Sequence, residues 1–165
     1  MMNEIVTVIA TACFGLAAGI FTVLSLIEKP IWPLMRDPSS KRATDKEVRL
    51  IHAQLKRVIY LLPPIMKTNM GLAAILLIVQ AWLRMFDGAS VGAIAIFITF
   101  MGYLLWYLES RIRAVADVPS ESSIDIVRKG LAQLSALHHV GLAMAATMLI
   151  VQLFVAINSV GILLG

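Results

Sequence analysis

Four long apolar runs dominate the chain. Ile5 to Ile27 carries no charge between Glu4 and Glu28. Thr68 to Phe86 follows a less regular apolar stretch from Val58 to Met66. Ala89 to Leu108 and Val140 to Leu164 complete the set. A membrane-crossing helix needs about 20 mostly apolar residues. The predicted spans are therefore 5–27, 66–86, 89–108 and 138–164, with polar segments at 29–62 and 109–135. A β-barrel would alternate apolar and polar residues in segments of about ten, and no such alternation occurs. The pattern predicts an all-α integral membrane protein, an antiparallel four-helix bundle forming one domain over residues 1–165.

The first polar segment has a helical period of its own. Leu50, Ile51, Leu55, Val58 and Ile59 recur at helical spacing, with Arg49, Lys56 and Arg57 between them. Thr44 or Asp45 suits the cap, with Glu47 in the first turn. Pro63 and Pro64 should interrupt or kink this extra amphipathic helix. It would lie among headgroups or close over one end of the bundle as a lid. In the second segment, Ser123 is expected to cap a short helix through Lys129, which Gly130 ends.

Composition supports the membrane reading. Of 165 residues, 59% are hydrophobic and 15% charged, against roughly 45–50% and about 25% in soluble domains. Mean hydropathy is +0.86. A soluble globule of this size cannot hide so much apolar surface, a disordered chain would be polar, and Cys13 alone makes no disulfide scaffold. The leader Met-Met-Asn-Glu carries no positive charge, so the first run reads as a retained span and not a cleaved signal.

Charge then sets an orientation. Of the 14 Lys and Arg residues, 12 fall in the two polar segments, leaving Lys67 and Arg84. Positive loops stay cytoplasmic, which predicts a multi-pass inner-membrane protein with both termini non-cytoplasmic and segments 29–62 and 109–135 cytoplasmic. This topology accounts for the net charge of +4, and no nucleic-acid partner is needed.

Polar residues at the span ends are the candidates for chemistry. Glu28 ends span one, Lys67 and Asn69 open span two, Glu109 ends span three, and His138 and His139 open span four. His52 lies on the preceding amphipathic helix. Alternating span direction places all of them at the cytoplasmic end. Three readings compete. In one, they mark where helices leave lipid, with Lys67 and Arg84 snorkelling to opposite interfaces. In another, His52, His138, His139 and Glu109 hold iron or copper, since imidazole and carboxylate suit such ions. In the third, Glu28, Lys67 and Asn69 help bind the polar head of an amphipathic molecule. Adjacent histidines point about 100° apart on a helix, so His138 and His139 should play unequal roles, one reaching Glu28 or Glu109.

Gly15 and Gly19 form a Gly-x-x-x-Gly face that lets helices approach closely, inside the bundle or, less favoured, in a homo-oligomer. Trp82, Trp106, Tyr103 and Tyr107 suit an interfacial aromatic belt.

Several of these pieces together resemble a known family. Gly15-Leu16-Ala17-Ala18-Gly19-Ile20-Phe21 lies in span one, Lys29-Pro30-Ile31-Trp32-Pro33-Leu34 at its end, Asn69 in span two, and Leu137-His138-His139-Val140-Gly141 opens span four. In this order they resemble the small four-helix membrane proteins grouped with anthrone oxygenases. The paired asparagines of that pattern are replaced after span three by Glu109-Ser110-Arg111, and the arginine after the span-four histidine is absent. The resemblance implies oxygenation of a polycyclic aromatic substrate, with His138 or His139 as the first position to test. The residues themselves favour a binding protein for an apolar or amphipathic small molecule, or a subunit of a membrane complex. A membrane-embedded oxidoreductase or oxygenase is the alternative.

Overall fold

The computed structural model describes residues 2–164, with side chains through Ile157. Met1 and Gly165, and with them the two chain ends on which the predicted topology bears, lie outside the described residues. The described chain is helical, without strands: α1 (Met2–Glu28), a 3-10 turn (Lys29–Ile31), α2 (Pro33–Arg36), α3 (Asp45–Leu83), α4 (Gly88–Ala116) and α5 (Ile124–Leu164). The four long helices are each long and apolar enough to cross a membrane. α1 packs on α3 and α5, and α4 packs on the same two helices. Large apolar side chains such as Val8, Val23, Ile75, Ile98 and Ile150 remain exposed on their outer faces.

The helix starts follow local chemistry. Thr44 caps α3 in a reciprocal arrangement: its hydroxyl accepts from the Glu47 N–H, and Glu47 Oε2 accepts from the Thr44 N–H at 2.8 Å. This satisfies two of the amides a helix start leaves free. Asp87 caps α4, its Oδ1 accepting from the Ser90 N–H at 2.9 Å. The turn into α4 puts Met85 and Phe86 at φ 54° and 56°, in the left-handed region that side chains with a Cβ resist.

Three boundaries differ from the sequence expectation. The extra amphipathic helix is not separate, because α3 runs unbroken through Pro63 and Pro64. Both prolines withhold an amide from the carbonyl four residues back, but packing on both sides holds the helix together. Nor does the first half of α3 lie apart as a surface helix. Val48, Ile51 and Leu55 are buried with Leu24, Leu34, Val115 and Leu131. Likewise, Gly130 does not end a short helix, since α5 continues from Ile124 past it. A Cβ at Gly130 would sit 2.3 Å from the Ala114 carbonyl oxygen, so glycine here admits the α4 backbone.

The basic residues of α3 seal the end of α4. Arg49 donates to the Ser120 carbonyl and, at 2.9 Å, to that of Ser122; His52 Nε2–H donates to the Val115 carbonyl at 3.1 Å; Lys56 donates to the Val118 carbonyl at 2.9 Å. The last carbonyls of a helix lack intrahelical donors; His52 serves one of them at Val115, while Arg49 and Lys56 tie down the carbonyls of the segment that follows α4. Arg128, buried on α5, donates to the carbonyls of Ser40 and Ala43 at 2.8 and 2.7 Å and pairs with Asp45 at 2.6 Å. It pins the α2–α3 connection.

Two apolar cores result. One gathers Leu24, Leu55, Leu131 and Leu134 at the end where α1 finishes. The other gathers Cys13, Phe14, Leu77, Phe97 and Met148 towards the α3–α4 turn.

Candidate functional site

A cavity of about 420 Å³ opens between the two cores, within the size range of small-molecule pockets. Leu24, Leu55 and Leu134 of one core and Phe14, Phe97 and Met148 of the other line it, so all four long helices contribute. Its lining is apolar except for two side chains, Lys67 and His138.

His138 is held from behind. Glu28, the last residue of α1, is fully buried, and its Oε1 lies 2.7 Å from His138 Nδ1. The ring N–H donates to the carboxylate, which orients the imidazole and leaves Nε2 free for another partner. Phe21 stands beside the ring, centroids 6.3 Å apart. It is also why residue 141 is glycine, since a Cβ there would come within 2.6 Å of the Phe21 ring. The second oxygen of Glu28 and the Ser135 hydroxyl are buried without a hydrogen-bond partner among the described residues. Buried polar atoms are usually paired, so both can take a further partner.

His139 faces another way. Its Nδ1–H donates to the Ser135 carbonyl at 2.9 Å, so Nε2 accepts from the Ser25 hydroxyl at 2.9 Å. Trp32 donates to the Ser25 carbonyl at 3.1 Å and meets the His139 ring edge-on at 5.5 Å. This is a clasp between α5, α1 and the turn after α1, away from the cavity lining. The two adjacent histidines thus meet different partners, with Glu28 and not Glu109 as the carboxylate beside the inward ring.

The other candidates disperse. Glu109 is exposed and pairs with Arg113 one turn along α4. His52 is buried on the Val115 carbonyl. Asn69 donates to the Cys13 carbonyl at 2.8 Å, tying α3 to α1. His52, His138, His139 and Glu109 therefore do not form one ligand set for iron or copper. Among the described residues no three His, Cys, Asp or Glu side chains converge on a metal position. Lys67 is exposed at the cavity rim. Arg84 does not snorkel outward: its side chain is 6% exposed and bonds Asp87 at 2.5 Å. That guanidinium bond, together with the Ser90 contacts, holds the Asp87 carboxyl down at about 2, from an ordinary 3.8.

Gly15 and Gly19 also depart from expectation. Nothing lies within 4 Å of a Cβ built at either, so this face does not pack inside the protein. Conversely, a buried polar group escaped the sequence reading. Gln80 donates to the Thr7 hydroxyl at 2.8 Å, and the Gln80 and Gln152 amides exchange hydrogen bonds at 3.3 Å. Glutamine in the middle of an apolar run was the available signal, since polar groups inside such helices face partners.

No protein-family model matches the chain, and no curated protein or solved structure is similar to it.

Proposed function

We propose that this is a multi-pass membrane protein whose four long helices form an antiparallel bundle, and that it binds an apolar or amphipathic small molecule between them. The cavity of about 420 Å³ carries the reading: apolar throughout except at Lys67 and His138. A space of that size left between two well-packed cores costs packing energy, since voids forfeit dispersion contacts. A bound apolar molecule recovers it. The exposed apolar outer faces support the membrane setting. The positive-inside bias supports an inner-membrane orientation with basic loops cytoplasmic. A reporter fused at the C-terminus, active only outside the cytoplasm, tests that orientation.

The binding reading is tested on the full chain purified in mild detergent. Organic extraction and mass spectrometry should recover a lipophilic compound in near-stoichiometric amount. Gly71→Leu should reduce it, because Gly71 lines the cavity and a Cβ there meets nothing within 4 Å. Equal recovery from both proteins would count against the cavity as the binding place.

His138 on the cavity wall, with Glu28 behind it, favours a second reading: an oxidoreductase or oxygenase acting on a lipophilic substrate. A carboxylate-held imidazole is suited to take a proton from a bound molecule. Turnover of a lipophilic substrate, lost in His138→Gln, would select this reading.

A further inference from the structure

The polar residues of the cavity carry an inference about the head group of its occupant, which rests on the binding reading above. Lys67 lines the cavity at an exposed position, with no hydrogen bond or ion pair among the described residues. Facing the same space is His138, whose Nδ1 is committed to Glu28 at 2.7 Å while Nε2 has no partner among the described residues. Among the described residues no carboxylate lines the cavity, and Glu28 reaches it only through His138. The lining thus offers one uncompensated cation, at an exposed position, and one imidazole, in an otherwise apolar space.

We propose that the cavity is a binding site for a long-chain carboxylate, its hydrocarbon chain between the two cores and its head at Lys67 and His138. The charges complement each other. Lys67 faces the head as a cation. With both ring nitrogens protonated, His138 donates Nδ1–H to Glu28 and Nε2–H to the head. Two anions, the head and Glu28, then meet two cations, Lys67 and the imidazolium, and the filled site is neutral. Neutrality matters in an apolar interior, where an unpaired charge is costly. The proton on Nε2 is the one the acid brings if it enters uncharged. A cationic head would instead confront Lys67 directly. A neutral alcohol would occupy the same space without the ion pair.

The test is equilibrium binding of hexadecanoate, hexadecanol and hexadecyltrimethylammonium to the full chain in lipid nanodiscs, measured against empty discs. Hexadecanoate should bind about tenfold more tightly than hexadecanol, the step expected of one charge-assisted contact, and the ammonium compound most weakly. Lys67→Gln, a change at an exposed position, should narrow that preference severalfold, His138 remaining as the second partner of the head. Gly71→Leu should weaken both. If hexadecanol or the ammonium compound binds as tightly as hexadecanoate, or Lys67→Gln leaves the preference undiminished, the head-group assignment fails while the cavity remains a lipophile site. If none of the three binds beyond the empty discs, or Gly71→Leu changes nothing, the cavity reading falls as well.

Discussion

Glu28 Oε1 and His138 Nδ1 lie 2.7 Å apart, 110 residues apart in the chain. This bond joins the last residue of α1 to α5, with the carboxylate fully buried and the imidazole on the wall of the central cavity. Removing the carboxylate leaves the inward Nδ1–H without its acceptor, at a cost of about 1–3 kcal/mol. Glu28→Ala should therefore lower the unfolding temperature strongly. Glu28→Gln should cost less, because the amide oxygen still accepts from Nδ1–H. Glu109→Gln, at an exposed pair, should leave thermal unfolding unchanged. Equal effects of Glu28→Ala and Glu109→Gln would show the buried bond to be unimportant.

The two histidines should separate by phenotype. His139→Ala removes the bonds to Ser25 and Ser135 and the Trp32 ring contact. It should cost roughly 1–3 kcal/mol of stability, as expected when buried partners are left unsatisfied, without changing which lipophile is retained. His138→Ala should change ligand retention. Thermal unfolding and ligand mass spectrometry on the same preparations distinguish them, and identical profiles would contradict the geometry.

Glycine substitutions should sort by what a Cβ meets. Gly130→Ala forces a methyl against the Ala114 carbonyl and should destabilise by about 1–3 kcal/mol, the range for overpacking. Gly15→Leu and Gly19→Leu meet open space and should leave the monomer folded. Leu24→Ala, in the core at 5% exposure, should cost about 2–5 kcal/mol. Size-exclusion chromatography of the Gly15 and Gly19 variants also tests whether that outward face meets a second copy: a shift in oligomeric state would show that it does.

Acid should weaken the α3–α4 turn in a defined window. The Asp87 carboxyl, bonded to Arg84, titrates at about 2 in the folded chain against an ordinary 3.8. A depressed carboxyl contributes stability above its unfolded value and loses it as pH falls through the folded value. Unfolding temperature should therefore drop between about pH 4 and pH 2, and Asp87→Asn should flatten that part of the profile. An identical slope in the variant would place the acid sensitivity elsewhere.

Met85, at φ 54° and 86% exposed, holds a left-handed conformation with little side-chain contact to offset it. Met85→Gly should raise stability by about 1 kcal/mol, the usual cost of this conformation for a residue with a Cβ. A lower unfolding temperature would mean that the methionine side chain stabilises the turn after all.

The four long apolar helices, a helix cap at Thr44 or Asp45 with Glu47 in the first turn, and the different directions of His138 and His139 were legible in the linear chain. Each is a property of one continuous stretch of chain: run length, cap chemistry, and the 100° step between adjacent residues. Partners were not legible. Glu28 and Glu109 look alike in sequence, each a carboxylate ending an apolar run, yet one is buried against His138 and the other lies exposed beside Arg113. Gly15 and Gly19 match the spacing of a helix-packing motif but face outward, while Gly130 and Gly141, outside any such spacing, are the close contacts. Pro63 and Pro64 carry a local signal to break α3, and packing on either side overrides it. Periodicity tells which residues share a face, but only the packing of helices distant in sequence decides what that face meets. The cavity between the two cores exists on that level alone.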